Sequence, residues 1–392
     1  MKKASDPQFD TVIVGGGQAG LALGYWLAKG HHDFVILDEN ARTGDSWRQR
    51  WDSLRLFTPA KYDGLPGMPF PGDRLAFPSK DELADYLEEY ARRFSLPVVP
   101  GVHVDGVTQE GDRFLVSSGD RSWTANNVVV ATGGYRLPKR PAFANELDPG
   151  IVQLHSQEYK NPGQLQPGPV LVVGLGNSGA EIALEASRTH TTLLAGKASG
   201  EIPVRHGRAA ARFVLPVIRF AGLHVLTLNT PVGRKVAPAF KMMAAPLIRT
   251  RTKELREAKV ELLPRIAGVK QGKPLLEEGR TLDVANVIWC TGYREDYSWL
   301  KLPYQDGEGA PAPQEGSSGI CPWTLFHRPG VPVRCSLGNA SRSWPGCPLS
   351  GTTNHSRPAA DGGASAGLDL VFRAFRHSAL AQATHSFIFA NA

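Results

Sequence analysis

The sequence predicts an α/β protein that contains two parallel-sheet units. Three observations carry this prediction. The chain has 392 residues, of which 42% are hydrophobic and 21% charged, values that fit a globular protein of two or three domains at about 150 residues each. A strand, a glycine turn and a helix follow one another twice, with Gly174 standing 159 positions after Gly15. Two strands that end in Thr-Gly repeat at the same interval of 159 positions.

The first unit starts at Phe9. Residues 9–14, Phe-Asp-Thr-Val-Ile-Val, are typical of a buried strand, and a helical pattern of apolar residues follows the glycine turn. A Gly-x-Gly-x-x-Gly turn in this context is typical of dinucleotide binding, although a glycine-rich loop of an unrelated α/β protein is the alternative. Its glycines permit a tight turn, let a pyrophosphate approach the backbone, and let the helix pack on the strand. The predicted binding residues of this turn are Gly15, Gly17, Gln18, Ala19 and Gly20.

A second strand, residues 34–37, ends at Asp38, where an acid can accept hydrogen bonds from a ribose diol. The loop at residues 44–59 is rich in aromatic and basic side chains. Loops of this kind at the carboxyl edge of a sheet commonly pack on a cofactor ring. We therefore predict Trp47 and Arg48 as cofactor contacts, with an aromatic satellite of the core as the alternative. Residues 79–82 form a capping box, which predicts a structural helix as far as residue 94.

The second unit repeats the pattern of the first, with a strand at residues 170–173 and a helix from Ala180. The predicted binding residues of its turn are Gly174, Gly176, Asn177, Ser178 and Gly179. Each unit is followed by a strand that ends in Thr-Gly, and such an end lies at the carboxyl edge of the sheet, where cofactors bind in doubly wound folds. The four residues that complete the predicted sites are Thr132, Gly133, Thr291 and Gly292.

The two units differ at the position 23 residues after the first glycine, which is Asp38 in one unit and Lys197 in the other. An acid repels a ribose 2′-phosphate and a cation attracts it. The first site therefore suits FAD or NAD, and the second suits NADPH. Arg205, His206 and Arg208 could add positive charge to the second site. The alternative is that Lys197 is a solvated loop lysine, as most surface lysines are.

No catalytic residue and no metal site are predicted. His155 could act as a general acid or base, but it has no evident carboxylate or nucleophile partner in the sequence, which favours a role in a linker. The sequence shows no zinc-ligand spacing, no Walker loop and no Gly-x-Ser-x-Gly turn. The chemistry of the predicted sites is therefore expected to reside in the bound cofactors.

The composition limits the partners and the compartment. The formal net charge of +7 is too diffuse for a nucleic-acid site and suits an anionic cofactor. The four cysteines form no Cys-x-x-Cys, and the first ten residues do not look like a signal peptide, so we expect a cytoplasmic protein. The most apolar stretch, Phe213 to Leu228, is broken by Pro216, Arg219 and His224 and is too short for a membrane span. A homodimer is compatible with these observations.

Together these motifs resemble the class B flavoprotein monooxygenases, which include flavin-containing monooxygenases, N-hydroxylases and plant YUCCA-type enzymes. The resemblance runs from about Phe9 to Gly316. Besides the glycine turns, its most specific segments are Asp45-Ser-Trp-Arg48, Leu65-Pro-Gly-Met-Pro-Phe-Pro71 and Trp289-Cys-Thr-Gly-Tyr-Arg294. Residues 153–159 are similar to the linker fingerprint of the family, with Tyr159 where Baeyer–Villiger members have Trp, which disfavours insertion of oxygen into ketones. Near Thr58, where flavin-containing monooxygenases carry an active-site Asn, this chain has no Asn.

The resemblance implies a reaction in which NADPH reduces FAD, O₂ adds to flavin C4a, and the hydroperoxide transfers one oxygen atom to a small organic substrate. The cofactor carries the chemistry, so the protein mainly excludes water and positions the nicotinamide. Two alternatives stay open: an uncoupled NADPH oxidase or flavin reductase, and a catalytically inactive dinucleotide-binding regulator.

The resemblance also implies the domain organisation, in which two dinucleotide-binding domains are present and the NADPH domain is inserted in the FAD domain. Residues 1–150 form the first part of an FAD domain, residues 151–290 an NADPH domain, and residues 291–312 the return to the FAD domain. Residues 313–392 contain nine charged residues, and no lysine follows Lys301. We expect this tail to be poorly ordered. The closing motif of the family is missing from it, but codons that are permitted for residues 343–350, read one nucleotide later, can spell Val-Gly-Arg-Asp-Ala-Arg-Tyr, nearly that motif. We therefore predict a frameshifted tail that impairs the enzyme.

Overall fold

The computed structural model describes residues 7–197, 200–222, 230–231, 246–294, 296–302, 324–327 and 331–333. Its strands, numbered in chain order, are β1 (Gln8–Val14), β2 (Phe34–Leu37), β3 (Val98–Val99), β4 (Gly106–Glu110), β5 (Arg113–Ser118), β6 (Arg121–Val130), β7 (Leu137–Pro138), β8 (Val152–His155), β9 (Val170–Val173), β10 (Thr192–Ala195), β11 (Glu261–Leu263), β12 (Ile266–Lys270), β13 (Lys273–Leu276), β14 (Asn286–Trp289), β15 (Tyr293–Arg294), β16 (Thr324–His327) and β17 (Val331–Val333). The α-helices are α1 (Gln18–Lys29), α2 (Asp45–Arg48), α3 (Lys80–Arg93), α4 (Asn177–Ala186), α5 (Leu215–Phe220) and α6 (Thr252–Glu257). Short 3₁₀ turns lie at Ala60–Tyr62, Ala142–Glu146 and Pro162–Gln164, and a π-helical turn lies at Ala210–Val214.

The first sheet has eight strands, and its main path runs in the order β17-β16-β6-β1-β2-β3. Strand β1 pairs in parallel with β2 and β6, and β4 and β5 join the sheet beside β6 as an antiparallel hairpin. All four residues of β2 are buried, as expected of a parallel strand that is covered on both faces. One face packs against α1 and α3 through a core that includes Ile13, Leu23 and Leu87.

The second sheet has five strands in the order β11-β10-β9-β14-β8, all parallel. Its strands have three or four residues each, and β9 and β14 are buried along their whole length. Helix α4 covers one face together with Tyr159 and Leu255. On the other face Trp289 packs with Leu171 and Leu276.

The second sheet is inserted into the first, because all of its strands lie between β6 and β16 in the chain. The chain leaves the first sheet through β7 and returns through β15, and these two strands pair antiparallel at the junction. After the return, Trp299 and Lys301 exchange backbone hydrogen bonds with Val107 of β4. This arrangement is the predicted α/β fold with one dinucleotide-binding unit inserted in the other.

Two segments of the predicted tail have described structure. Strand β16 pairs antiparallel with β6, with Thr324 opposite Val130, and β17 pairs with β16. Pairing with β16 therefore satisfies backbone N–H and C=O groups of β6 that would otherwise lie at an unpaired sheet edge. This part of the segment that we expected to be poorly ordered therefore extends the first sheet. The rest of the tail, including residues 343–350, lies outside the described residues, and the frameshift stays a prediction.

Within the ranges that the structure describes, no helix is long and apolar enough to cross a lipid bilayer. The apolar stretch that starts at Phe213 contains helix α5, which has six residues. The remainder of that stretch, residues 223–228, lies outside the described residues.

Candidate functional site

Each glycine of the first turn has its own steric role. Gly15 has a φ of 112°, a left-handed conformation that favours glycine, and a Cβ atom there would overlap the carbonyl oxygen of Ala131. A Cβ atom at Gly20 would overlap the carbonyl oxygen of Gly15. At Gly17, by contrast, a Cβ atom would meet no protein atom within 4 Å. The second glycine therefore leaves open space outside the backbone, as a pyrophosphate requires.

The second turn reproduces this geometry. Gly174 has a φ of 116°, and a Cβ atom there would overlap the carbonyl oxygen of Cys290. A Cβ atom at Gly179 would overlap the carbonyl oxygen of Gly174, whereas at Gly176 it would meet nothing within 4 Å. In each turn the backbone encloses the first and third glycines and leaves open space at the second, a shape that suits a dinucleotide. We call residues 15–20 the first cradle and residues 174–179 the second cradle.

Helices α1 and α4 start directly at these turns. Their N-cap residues are Gly17 and Gly176, and neither helix has a side-chain cap. The first N–H groups of a helix have no partner within the helix and carry a partial positive charge, so they favour a phosphate. Gln18, Ala19 and Ser178, which the sequence places in these first turns, are all half-buried.

The two Thr-Gly pairs lie beside the glycine turns. Strand β1 neighbours β6, and β9 neighbours β14, so the carboxyl ends of these strands meet. Gly133 and Gly292 have φ values of 70° and 79°, and a Cβ atom at either would meet nothing within 4 Å. The Thr291 hydroxyl donates to the carbonyl oxygen of Lys139. Thr132 and Gly133 therefore lie beside the first turn, and Thr291 and Gly292 lie beside the second. Their contacts to cofactors stay predictions.

Asp38 is bound to the protein backbone. It is 7% exposed, and its Oδ2 accepts a hydrogen bond of 2.6 Å from the N–H of Gly16. Its Oδ1 accepts two bonds of 2.8 Å from Asn40. A Cβ atom at Gly16 would lie 2.5 Å from Asp38 Oδ2, so Gly16 is a fourth glycine with a role. The sequence reasoning missed Gly16 and Asn40, and the ribose contact of Asp38 stays a prediction.

Lys197 is exposed and follows strand β10 directly. The preceding Gly196 lies against the second turn, because a Cβ atom there would be 2.6 Å from the backbone nitrogen of Leu175. Leu175 stands where the first turn has Gly16, and no carboxylate approaches it from position 197. Lys197 is therefore an exposed residue beside the second cradle, and its contact to a 2′-phosphate stays a prediction.

The other basic residues near Lys197 differ in their surroundings. Arg205 is exposed. Nε2 of His206 lies 2.9 Å from the carbonyl oxygen of Phe57, to which it donates. Arg208 forms an ion pair with Asp73. His206 and Arg208 thus bind a loop of the first domain, which the sequence reasoning did not foresee.

Trp47 and Arg48 belong to α2. Trp47 is half-buried against the core between α1 and α3. Arg48 pairs with Asp45, Asp85 and Glu88 at 3.1, 2.8 and 2.6 Å, and it donates to the carbonyl oxygen of Thr43. These contacts fasten α2 to α3. Arg48 therefore has a structural role in this state, and its contact to a cofactor stays a prediction.

Asn177 holds a distant segment of the chain. It is 3% exposed, and its Nδ2 donates to the carbonyl oxygen of Pro246 at 3.1 Å. Its Oδ1 accepts from the N–H of Ile248 at 2.9 Å. The side chain thus joins the start of α4 to residues 246–248, while the backbone of the same residue borders the second cradle.

His155 lies at the junction of the two domains and is fully buried. Its Nε2 is 3.0 Å from the carbonyl oxygen of Gly292 and its Nδ1 is 3.2 Å from the N–H of Gln157. A carbonyl only accepts and an amide only donates, so Nε2 carries the proton and the ring is neutral. Burial lowers the pKa of His155 in agreement with this state. These contacts support the linker role and hold the Thr-Gly turn at residue 292.

A buried acid in the first domain was missed by the sequence reasoning. Asp63 is 3% exposed, as is Thr58, whose hydroxyl donates to Asp63 Oδ1. Among the described residues, Oδ2 of Asp63 has no hydrogen-bond partner. Burial raises the pKa of Asp63 to about 8. The proximity of Thr58 to this acid, five positions away, depends on the turn between them and has no signature in the sequence.

Comparisons with known proteins find oxidoreductases that are similar to this chain. A family model described as pyridine nucleotide-disulphide oxidoreductase matches residues 12–202. An oxidoreductase of Geobacillus kaustophilus, described as uncharacterized and CzcO-like, is 37% identical over 314 residues, which cover 79% of this chain and 88% of the relative. The probable indole-3-pyruvate monooxygenase YUCCA3 of Arabidopsis thaliana is 30% identical over 334 residues, which cover 74% of each chain.

A solved structure shows the same architecture. The flavin-containing monooxygenase from Stenotrophomonas maltophilia is 29% identical and superposes with a TM-score of 0.61, covering 79% of this chain and 86% of that chain. The cradles, the inserted second sheet and these relatives lead to one assignment. The chain belongs to the class B flavoprotein monooxygenases, which are FAD- and NADPH-dependent oxidoreductases.

Proposed function

We propose that this chain is an NADPH-dependent flavoprotein monooxygenase that transfers one atom of O₂ to a small organic substrate. FAD binds at residues 15–20 and NADPH at residues 174–179. The observation that carries the proposal is the matching pair of glycine cradles, each open only at its second glycine. An acid beside the first cradle and an exposed lysine beside the second support this order of the cofactors.

When bound, the flavin supplies the redox chemistry: it takes a hydride from NADPH and reduces O₂, so that one oxygen atom reaches the substrate and the other leaves as water. The protein binds the phosphates with the first N–H groups of α1 and α4. His155 keeps the turn at Gly292 in place, and β7 and β15 hold the two domains together at the junction. Tyr159 in the linker fingerprint supports amines and sulfides as substrates over ketones.

The test is a measurement of coupling. Purified protein is analysed for bound flavin and then mixed with NADPH, O₂ and single candidate substrates from the classes of amines, sulfides, 2-oxo acids and ketones. We expect bound FAD and close to one molecule of oxygenated product per NADPH consumed with one of these classes. NADPH consumption that yields only peroxide would identify an oxidase, and a protein without flavin would support the inactive regulator.

The choice of nicotinamide cofactor is tested at Lys197. Lys197→Glu should weaken NADPH binding by about 1 to 3 kcal/mol, the scale of a lost charge-assisted hydrogen bond, and should leave NADH binding nearly unchanged. Lys270→Glu, which alters an exposed lysine on β12 by the same charge, serves as the control. Equal affinity of the wild type for NADPH and NADH would contradict this part of the proposal.

A further inference from the structure

A buried carboxyl group lies behind the second cradle. Glu181 is on α4, one turn beyond the glycine turn, and only 9% of its side chain is exposed. Its Oε1 lies 3.5 Å from Nε of Arg249, but within the described residues it has no hydrogen-bond partner. A buried carboxylate that makes no hydrogen bond to its counter-charge costs free energy.

Arg249 extends from Glu181 to the first domain. Its Nη2 donates to the carbonyl oxygens of Arg55 and Leu56, the latter at 3.3 Å. Its guanidinium group lies 5.2 Å from the centre of the Phe57 ring. His206 donates to the carbonyl oxygen of Phe57 in the same segment. Residues 55–57, which we call the contact loop, are therefore held by two side chains of the second domain.

The segment that carries Arg249 is also attached to the second cradle. Asn177, the first residue of α4, binds the backbone of Pro246 and Ile248 through both ends of its amide. Asn177 follows Gly176, the open position of the cradle. A continuous set of contacts therefore runs from the second cradle through residues 246–249 to the contact loop of the first domain.

We propose that Glu181 and Arg249 are positioning residues that couple occupancy of the second cradle to the contact loop of the first domain. The proposal rests on the proposed function, because it takes the second cradle as the nicotinamide nucleotide site. The carboxylate of Glu181 orients the guanidinium group of Arg249, and Arg249 in turn holds the contact loop. Binding of a nucleotide at the start of α4 then restrains both domains together.

The first experiment measures amide hydrogen exchange in the FAD-loaded protein with and without NADP⁺. The N–H of Leu56 bonds to the carbonyl oxygen of Pro78 at 2.8 Å, so its exchange reports opening of the contact loop. We expect NADP⁺ to slow this exchange about fivefold in the wild type and less than about twofold in Glu181→Gln. The affinity for NADP⁺, measured by calorimetry, should change less than about threefold.

Two further variants make the result specific. Glu185→Gln removes the next acid on α4, which accepts a hydrogen bond from Tyr159, and should respond to NADP⁺ like the wild type. Arg249→Lys keeps the positive charge but loses the planar guanidinium group whose Nη2 reaches the contact loop. This variant should respond to NADP⁺ like Glu181→Gln. Thermal unfolding shows whether each variant is folded. A folded Glu181→Gln or Arg249→Lys protein with wild-type protection of Leu56 would overturn the inference.

The pH dependence gives a second readout. Burial raises the pKa of Glu181 to about 7, while the nearby Arg249 opposes this shift and Glu185 adds to it. The limiting rate of flavin reduction by NADPH in the wild type should therefore fall as the pH drops below about 7. This decrease with pH should be absent in Glu181→Gln. A pH profile that is unchanged in the variant would also contradict the inference. A wild type that fails to bind NADP⁺ would instead contradict the proposed function.

Discussion

At the scale of single residues, the glycines of the two cradles differ in what they contact. Backbone carbonyl oxygens lie against Gly15 and Gly20, whereas a Cβ atom at Gly17 would meet no protein atom within 4 Å. A larger residue at Gly20 must displace the backbone of the turn. A larger residue at Gly17 need displace only a ligand, so the two positions separate binding from folding.

We predict that Gly17→Val abolishes FAD retention without unfolding the apoprotein, because the valine side chain would fill the space left for the pyrophosphate. Gly20→Val, the matched control, should unfold the protein or lower its melting temperature sharply, because its side chain would overlap the carbonyl oxygen of Gly15. Flavin absorbance and circular dichroism measure the two effects. Unchanged flavin content in Gly17→Val would refute the site.

Asp63 is the residue whose titration should affect stability most directly. Its pKa is about 8 in the folded protein because of burial, against an ordinary value of 3.8. The stabilisation by its proton is complete below pH 4 and is lost as the pH rises to about 8, because the folded state binds the proton more tightly than the unfolded state. We predict that the free energy of unfolding of the wild type falls by about 4 kcal/mol more than that of Asp63→Asn between pH 5 and pH 9. Urea unfolding at both pH values measures this difference, and parallel pH profiles would contradict it.

At the scale of elements, helix α3 organises the loop that precedes it. The hydroxyl groups of Tyr86 and Tyr90 donate to the carbonyl oxygens of Met68 and Pro66, each at 2.7 Å. Arg48 of α2 reaches the acids on the exposed side of the same helix. Because α2 has only four residues and cannot be stable alone, its position depends on α3. The start of α3 therefore affects the whole of this loop.

The predicted capping box at this start is present in the structure. The N–H of Ser79 donates to Glu82 at 2.7 Å and the N–H of Glu82 donates to the Ser79 hydroxyl at 3.2 Å. We predict that Ser79→Ala lowers the free energy of unfolding by about 1 kcal/mol, because one N–H of the first turn loses its partner. Ser79→Asp should retain most of the stability. Urea denaturation measures both variants, and an alanine variant as stable as the wild type would show that the cap contributes nothing.

At the scale of the whole molecule, the two proposed cofactor sites lie at separate sheets of one chain. Ligand binding to the folded state stabilises it by an amount set by concentration and affinity. We predict that removal of FAD lowers the melting temperature, and that FAD at 100 times its dissociation constant restores about 2.7 kcal/mol. NADP⁺ should add stability in the FAD-loaded protein. Thermal unfolding over a series of FAD concentrations measures this effect, and a melting temperature independent of FAD would contradict binding to the folded state.

The tail carries a second prediction at this scale. If residues 313–392 are a frameshift product, the codons of residues 343–350, read one nucleotide later, spell most of Val-Gly-Arg-Asp-Ala-Arg-Tyr. Sequencing of the gene decides this directly, and other codons would exclude the frameshift. If the codons agree, restoring the frame should raise flavin occupancy and NADPH oxidation. Failure of both to rise would show that the tail does not limit the enzyme.

Properties that depend on near neighbours in the chain could be determined from the sequence alone. The glycines of each turn interact within five positions, as between Gly15 and Gly20, and the capping box spans three. The equal spacing of the two units also made the second strand–turn–helix unit predictable, because each such unit folds through local contacts. Its insertion into the first unit was expected from the family resemblance. The positions of Lys197, Thr132 and Thr291 beside the cradles followed from the same spacing.

The tertiary structure alone decided which side chains of distant segments meet. Arg48 binds acids about 40 positions away, His206 reaches Phe57 across 149 positions, and Arg249 reaches Arg55 across 194. The engagement of Asp38 with Gly16, the burial of Asp63 and the contact of Arg249 with Glu181 likewise depend on how helices and loops pack. Such contacts have no periodicity or spacing in the sequence, because a cation or an acid can pair with any opposite charge that packing brings within reach.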